Sequence, residues 1–249
     1  MEQYKFNPSD GKEIVTAIVE GYRDYIEHRK DCHDKMVISS AFAWTKGNFI
    51  ESKLAEISSD LKFKYKRAKA GLTWDYLQFI NGEKKQLFLI KNAAYFNPNC
   101  FSQAVSPNRK SIDSRRTYLY ELSKINQNLQ FPSDIHTENE FFNEESVQLS
   151  LFISEQHIKE DIENFHASFN EFHILTYNID EAYQISEIMH YLPNPANNIA
   201  YEIENLSEYI SGAELTNEER EIIAPDQDSD IMDPAVFDIG IFEEKDKKN

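Results

Sequence analysis

The sequence predicts an α+β protein in which N-terminal helices precede antiparallel β-hairpins and an acidic C-terminal tail follows. Large apolar residues recur at helical spacing through residues 14–26. Farther along, residues 62–69 begin by alternating lysine with aromatic side chains, which is the period of a β-strand. Asn81 and Gly82 then separate two apolar runs, and this dipeptide is a strong hairpin signal. These observations place helices first and antiparallel strands after them.

Two helical regions are expected before the strands. Asp10 is the predicted N-cap of the first helix, with Glu13 as its capping-box partner. The polar stretch at residues 28–35 is expected to break this helix. A second helical region runs from about residue 37 to residue 61, and Gly47 leaves open whether it is one helix or two.

Strands are expected from residue 62 onward. Both residues of the Asn81-Gly82 turn tolerate positive φ, so strands at 74–80 and 86–96 should pair as a hairpin. A loop is predicted at 97–116, and a short helix from about 115 to 126. Beyond it the patterns predict a strand at 147–153, a helix over 154–172, a strand at 172–179, and a possible hairpin of 185–192 with 199–203.

The charge of the chain is divided unevenly along its length. The net charge is −17, yet residues 1–130 contain 21 Lys/Arg and 15 Asp/Glu, whereas residues 131–249 contain 5 and 28. Either the two halves contact different partners or they attract each other. The patterns indicate a basic helix and hairpin region at 1–130, an acidic α+β region at 145–212, and an acidic tail at 213–249. Whether the first two regions form one domain stays open.

Composition disfavours several functional classes. Cys32 and Cys100 are too few for a disulfide framework or a four-thiolate zinc site. No apolar run approaches the roughly 18 residues of a membrane span, and no apolar signal stretch begins the chain, so we expect a cytoplasmic protein without membrane contact. The sequence contains 7 Gly, with neither a Gly-rich phosphate loop nor a Gly-x-Ser-x-Gly motif. We therefore expect no cofactor and no metal ion.

A basic surface is the leading candidate for a binding site. Lys62, Lys64 and Lys66 would lie along one face of a strand, where three ammonium groups suit a phosphate backbone. Lysines also protect exposed edge strands from aggregation, which is the competing explanation. The candidate nucleic-acid-binding residues are Lys62, Lys64, Lys66, Arg67, Lys69, Arg109, Lys110, Arg115 and Arg116.

A second pattern contains fragments of a metal-dependent nuclease site. Glu51 lies on a predicted helix, Asp75 begins the hairpin and Lys91 ends it, an order that resembles restriction-endonuclease-like enzymes. There, carboxylates hold a divalent cation and the lysine steadies the attacking water. Leu89 occupies the position that needs a second carboxylate, and leucine cannot ligate a metal. We therefore expect that these three residues, the only catalytic candidates, are not catalytic.

An apolar segment interrupts the acidic tail and predicts a binding role. Residues 236–242 bring five large apolar side chains into a stretch of seven, with acidic residues on both sides. Docking of this segment in a groove or on a sheet edge would recover part of the hydrophobic free energy. The candidate partner-binding residues are Val236, Phe237, Ile239, Ile241 and Phe242.

Three functions remain open at this point. The leading one is nucleic-acid interaction through the basic strand and loop, with the acidic half as regulator or protein-binding region. The alternative is an acidic interaction protein, such as an inhibitor, an antitoxin-like subunit or a nucleic-acid mimic. The third is a divergent metal-dependent nuclease with a degenerate restriction-endonuclease-like core.

Overall fold

A computed structural model describes residues 1–70, 74–105, 111–115, 117–132 and 169–228 of the chain. Its architecture is α+β, as predicted, with N-terminal helices followed by a six-stranded and mostly antiparallel sheet. The tail beyond residue 228 lies outside the described residues, as do the strand predicted at 147–153 and most of the helix predicted over 154–172. Within the described ranges, no helix is both long and apolar enough to cross a membrane.

The first helix, α1, spans Pro8–Lys35. It begins one turn earlier than predicted, because Asn7 and not Asp10 occupies the N-cap position. Proline at the first helical position explains this start, since its fixed φ suits a helix and its missing N–H would have no partner there. The Asp10 carboxylate instead accepts a hydrogen bond from the Asn7 side chain at 3.4 Å.

The polar stretch 28–35 does not break α1, contrary to the sequence prediction. Two of its residues, Arg29 and Cys32, lie on the buried side of the helix, with 3% and 6% of their surface exposed. The Arg29 guanidinium donates a hydrogen bond to the Ser39 carbonyl oxygen at 2.7 Å. This contact ties the end of α1 to the chain that follows it, so the helix continues to Lys35.

The second helix, α2, spans Lys46–Glu56 and follows a 3-10 segment at Ser40–Thr45. Gly47 lies in the first turn of α2 and does not divide it. The two helices approach closely at Gly21 of α1, where a Cβ atom would lie 2.7 Å from the Ile50 Cα atom. Real Cβ atoms essentially never come this near to backbone, so the contact requires glycine.

Within the described residues, eight strands and two further α-helices follow. The strands are β1 (Phe63–Ala70), β2 (Trp74–Asn81), β3 (Gln86–Asn92), β4 (Gln103–Val105), β5 (Ser111–Arg115), β6 (Glu171–Ile179), β7 (Ile185–Asn194) and β8 (Ile199–Asn205), and the helices are α3 (Thr117–Ser123) and α4 (Asn217–Asp228). The main sheet has the order β1-β2-β3-β6-β7-β8, and all its neighbours are antiparallel except β3 and β6. The strand predicted at 172–179 and the hairpin predicted at 185–203 are confirmed. The stretch 97–116, predicted as a loop, contains the separate β4–β5 pair.

The β2–β3 hairpin is confirmed, but its turn works differently from the prediction. Asn81 pairs with Gln86, which leaves four residues in the connection rather than two. The Asn81 side-chain oxygen accepts hydrogen bonds from the backbone N–H groups of Glu83 and Lys84, at 3.1 and 3.2 Å. The positive φ of the turn falls on Lys85, with φ 53°, and not on the Asn-Gly pair. Asn81 therefore shapes this turn as a hydrogen-bond acceptor.

The sheet buries both of its sides. Phe88 and Leu175 belong to a cluster that packs against α1 and α2, and both are 0% exposed. Leu89 and Ile174, their neighbours along the strands, belong to the opposite cluster with Leu119 of α3. This alternation follows from the two-residue period of a strand. It also means that adjacent residues of β3 and β6 face different layers.

The first part of the segment assigned to the acidic tail packs on the fold. Leu215 and Ile223 belong to the helix-side cluster and are 6% and 2% exposed. Thr216 and Glu219 form a capping box, in which each backbone N–H is bound by the other side chain, at 2.8 and 3.2 Å. The helix that follows, α4, extends to Asp228.

Candidate functional site

The basic edge segment, Lys62–Arg67, begins one residue before β1 and continues along this strand, which is one of the two edges of the main sheet. All four of its cationic side chains, Lys62, Lys64, Lys66 and Arg67, are exposed. At its two ends the cations contact carboxylates: Lys62 Nζ lies 3.3 Å from Glu83, and Arg67 Nη1 lies 3.8 Å from Asp75. Such exposed ion pairs contribute little to stability and separate easily when another anion competes.

An aromatic side chain stands among these cations. The strand pattern predicted that Phe63 and Tyr65 share an apolar face, and Phe63 is indeed 4% exposed, packed against Phe88 with ring centroids 5.5 Å apart. Tyr65 differs from that expectation, because 53% of its surface is exposed. The buried layer thus ends before residue 65, and the tyrosine ring is presented to solvent on the face of β1 that it shares with Arg67, opposite the face of Lys64 and Lys66.

The structure describes only part of the remaining predicted binding set. Lys69 lies in β1 and Arg115 lies in β5, and for these two residues only the backbone path is described. The other predicted residues lie outside the described residues, namely Arg109, Lys110, Arg116, Val236, Phe237, Ile239, Ile241 and Phe242.

The three nuclease-type candidates do not converge. The Glu51 carboxylate accepts a hydrogen bond from the Leu77 backbone N–H at 2.9 Å, on the side of the sheet covered by the helices. Asp75 is exposed beside Arg67. Lys91 belongs to the other layer: it is 8% exposed, and its Nζ lies 5.3 and 5.0 Å from the ring centroids of Tyr76 and Tyr118. The strand alternation therefore separates Lys91 from Glu51 across the thickness of the sheet.

Acidic residues of the second half contact basic residues of the first. Arg23 of α1 lies 3.0 Å from the Glu219 carboxylate, and it also donates to the Glu214 carbonyl oxygen at 2.8 Å. Lys30 Nζ lies 2.7 Å from the Glu218 carboxylate. These ion pairs join the two halves of the chain where α4 packs on α1.

A series of four titratable side chains, two buried histidines flanked by two partly buried glutamates, crosses β6, β7 and β8, and we name it the histidine chain. His173 Nε2 lies 3.0 Å from Glu171 Oε2, His173 Nδ1 lies 2.8 Å from His190 Nε2, and His190 Nδ1 lies 2.8 Å from Glu204 Oε1. Both imidazole rings are 0% exposed. Every ring nitrogen thus has a partner at hydrogen-bond distance.

Hydrogen bonds from neighbouring groups lower the pKa values of the two carboxyl groups at the ends of the histidine chain. Burial raises the pKa of Glu171, but hydrogen bonds from His173 and Gln86 outweigh it and leave the pKa below its usual value. Burial also raises the pKa of Glu204, and there the hydrogen bond from His190 and the backbone N–H of Phe6 outweigh it. Both carboxyl groups are consequently ionised at neutral pH.

Neither His173 nor His190 was predicted as a functional residue, although the sequence carries a local signal for both. His173 and His190 each stand between two large apolar or aromatic neighbours in a strand, and each has a Glu on the same or the neighbouring strand. A histidine at a core-facing position must find hydrogen-bond partners, because an unpaired buried polar group costs free energy. Which partners it finds depends on strand order and register, which one sequence does not reveal.

A cavity of about 210 Å³ lies beside the histidine chain. Glu204 contributes to its wall together with the N-terminal segment before α1 and the turn after β8. Among the described residues, no group of three His, Cys, Asp or Glu side chains is arranged to hold a metal ion. No protein-family model, curated protein or solved structure matches the chain.

Proposed function

We propose that the protein binds single-stranded nucleic acid in the cytoplasm through the basic edge segment. The observation that carries this proposal is the exposed run Lys62–Arg67, in which four exposed cations and one exposed tyrosine follow one another along an edge strand. Proteins that bind single strands combine a positive track for the backbone with aromatic rings on which bases stack. The free cysteines Cys32 and Cys100 fit a reducing compartment.

The geometry of a strand suits contact with successive phosphates. Side chains two residues apart, such as Lys64 and Lys66, project to the same side of β1 at a spacing of about 6.7 Å. Each phosphate neutralised on a single strand contributes about −0.7 to the slope of log K against log salt concentration. Three or four contacts from this segment therefore predict a slope of about −2 to −3.

Tyr65 is the residue that distinguishes nucleic-acid binding from simple protection of an edge strand. Lysines alone would explain the protection of β1 from pairing with another sheet. An exposed aromatic ring serves no such purpose, whereas stacking of a base on an aromatic side chain contributes about 1–3 kcal/mol. The exposure of Tyr65 on the same edge strand as the lysines therefore favours nucleic-acid binding over edge protection.

Binding of a fluorescent single-stranded oligonucleotide to the full-length protein, measured by anisotropy, tests the proposal. Lys64→Glu with Lys66→Glu should weaken binding at low salt at least tenfold and make the salt slope shallower by about 1 to 2. Tyr65→Ser should weaken binding while leaving the salt slope unchanged, because stacking releases no counterions.

The matched control changes two exposed lysines on α1, Lys12→Glu with Lys35→Glu, and so alters the net charge equally. It should retain wild-type affinity. If the control weakens binding as much as the strand variant does, only the overall charge matters, and the segment is not a specific site. Absence of binding by the wild-type protein at low salt would also refute the proposal.

The acidic half is assigned a regulatory part in this proposal. With a net charge of −17 the protein as a whole repels a phosphate backbone, so the acidic residues limit which ligands reach β1. The apolar segment 236–242 is proposed to contact a protein partner. Ending the chain at Asp228 keeps the packed helix α4 and should strengthen oligonucleotide binding if the tail restricts access.

The alternative proposal is an acidic protein that binds a basic partner. The imbalance of 28 Asp/Glu against 5 Lys/Arg in residues 131–249 favours it. The two proposals predict opposite outcomes in one assay, because a basic protein ligand should be insensitive to Lys64→Glu with Lys66→Glu or bind more tightly to it. The divergent nuclease ranks third, since Lys91 and Glu51 lie on opposite sides of the sheet.

A further inference from the structure

The number of hydrogens in the histidine chain follows from its contacts. Four groups make three contacts, and each contact needs one hydrogen between its two heavy atoms. An ionised carboxylate has no hydrogen to donate, and a neutral imidazole has one. Two neutral rings between two carboxylates therefore supply two hydrogens for three contacts. A third proton must be present for all three contacts to be hydrogen bonds.

The position of this third proton is also constrained. Burial lowers the pKa of His190 to about 4, so at neutral pH this ring carries one hydrogen. Donation of that hydrogen from Nδ1 to Glu204 leaves His190 Nε2 as an acceptor. His173 is then the ring that donates from both nitrogens, to Glu171 and to His190, and it carries the positive charge.

We propose that the histidine chain is a proton-binding site which retains one proton at neutral pH and thereby holds the N-terminal segment Lys5–Asn7 on the sheet. Two contacts link that segment to the chain. The Phe6 backbone N–H donates to Glu204 Oε1 at 3.0 Å, and the Phe6 ring stacks on His190 with centroids 4.3 Å apart and planes inclined by 11°. If the proton leaves His173, two hydrogens remain for three contacts, and His173 can donate to Glu171 or to His190 but not to both. A break between the two rings then releases His190, on which the Phe6 ring stacks.

Charges around the histidine chain set the pH at which the proton leaves. The chain carries a net charge of −1 with the proton and −2 without it. Lys5 lies near Glu204 and Lys84 near Glu171, and both favour the proton-free state. Glu208 and Tyr209 border the cavity beside Glu204, and a negative charge at Glu208 favours the state that keeps the proton. The site therefore empties as the pH rises.

The contribution of the site to folding has a maximum near the usual histidine pKa of about 6.5. Above this pH the unfolded histidines bind no proton while the folded chain keeps one, so the folding constant falls up to tenfold per pH unit as the pH rises. Below it the unfolded chain binds two protons and the folded chain one. The folding constant then falls as the pH falls, until His190 binds a proton near pH 4.

Nitrogen-15 NMR of the full-length protein reports the protonation of each ring directly. At pH 7 we expect both nitrogens of His173 to carry hydrogen and His190 to carry its hydrogen on Nδ1, with the exposed His33 as the reference signal. On raising the pH, the protection of the Phe6 amide from hydrogen exchange should fall over the range in which His173 loses its proton. Two neutral rings at pH 7, or Phe6 protection that ignores the titration, would overturn the proposal.

A pair of variants tests the role of the carboxylates. Glu171→Gln removes a negative charge beside His173, so the chain should release its proton at least one pH unit lower than in the wild type. The control is Glu187→Gln, the same substitution at an exposed position of β7, and it should leave the titration unchanged. An unchanged titration in Glu171→Gln contradicts the proposal, and the wild-type measurement decides the matter if that variant does not fold.

Discussion

A methyl group at Gly21 would collide with the backbone of α2. Its Cβ atom would lie 2.7 Å from the Ile50 Cα atom and 2.9 Å from the Phe49 carbonyl oxygen. Backbone atoms of a packed helix cannot rotate away, so Gly21→Ala must push α1 and α2 apart by about 1 Å to restore ordinary contact. A gap of this size forfeits a quarter to a half of the dispersion energy of the atoms that it separates.

The expected cost follows from two opposing effects. Overpacking a core costs about 1–3 kcal/mol, and contact with backbone places this site at about 3 kcal/mol. Alanine returns up to about 1 kcal/mol, because it favours the helix more than glycine does. The free energy of unfolding should therefore fall by about 2 kcal/mol, which corresponds to roughly 4–8 °C in Tm for a domain of this size.

Gly47→Ala is the matched control, since it makes the same substitution within the partner helix. Nothing lies within 4 Å of a Cβ atom at Gly47, so only the helix propensity changes. This variant should be about 0.5–1 kcal/mol more stable than the wild type. Urea unfolding followed by far-UV circular dichroism measures both variants. A Gly21→Ala protein as stable as the wild type would refute the argument from the helix contact.

Two further predictions concern the sheet and the nuclease-type residues. Asn126 is 0% exposed and makes three hydrogen bonds of 2.7–2.8 Å with the backbone of Phe172 and Pro193. Asn126→Ala should therefore lower the free energy of unfolding, measured in urea, by at least about 3 kcal/mol. The control Asn48→Ala, at an exposed position, should change it by less than about 0.5 kcal/mol. Equal stability of these two variants would contradict the argument that the Asn126 hydrogen bonds to Phe172 and Pro193 stabilise the fold. Purified protein with Mg²⁺ or Mn²⁺ should leave DNA and RNA intact, because Lys91 and Glu51 lie on opposite sides of the sheet. Cleavage that disappears in Asp75→Ala or Lys91→Ala would contradict this expectation.

Features encoded by neighbouring residues could be predicted from the sequence. Helical spacing identified α1 and part of α2, alternation identified β1, and the Asn81-Gly82 dipeptide identified the β2–β3 hairpin. The capping box at Thr216 and Glu219 was also visible, because a capping box needs only two residues three apart. The boundaries of the helices were predicted less accurately. The α1 helix begins at Pro8 rather than after Asp10. Its polar end remains helical because Arg29 donates a hydrogen bond to Ser39 beyond the helix.

Features that join distant parts of the chain were decided by the tertiary structure. The parallel pairing of β3 with β6 brings Gln86 opposite Glu171, and no local pattern specifies which strands become neighbours. The candidate sites divide in the same way. Lysines on a strand were recognisable at once, but the exposure of Tyr65 depended on where the helical layer ends.

The histidine chain shows the physical reason most clearly. His173 and His190 meet because β6 and β7 pair in one register, and a shift of one residue would turn either ring to the opposite side of the sheet. Phe6 reaches Glu204 across 198 positions of sequence. The free energies of helix and turn formation are properties of short segments. The contacts of the histidine chain, by contrast, form only when strands distant in sequence come together in one particular order, which requires the chain between them to close into loops.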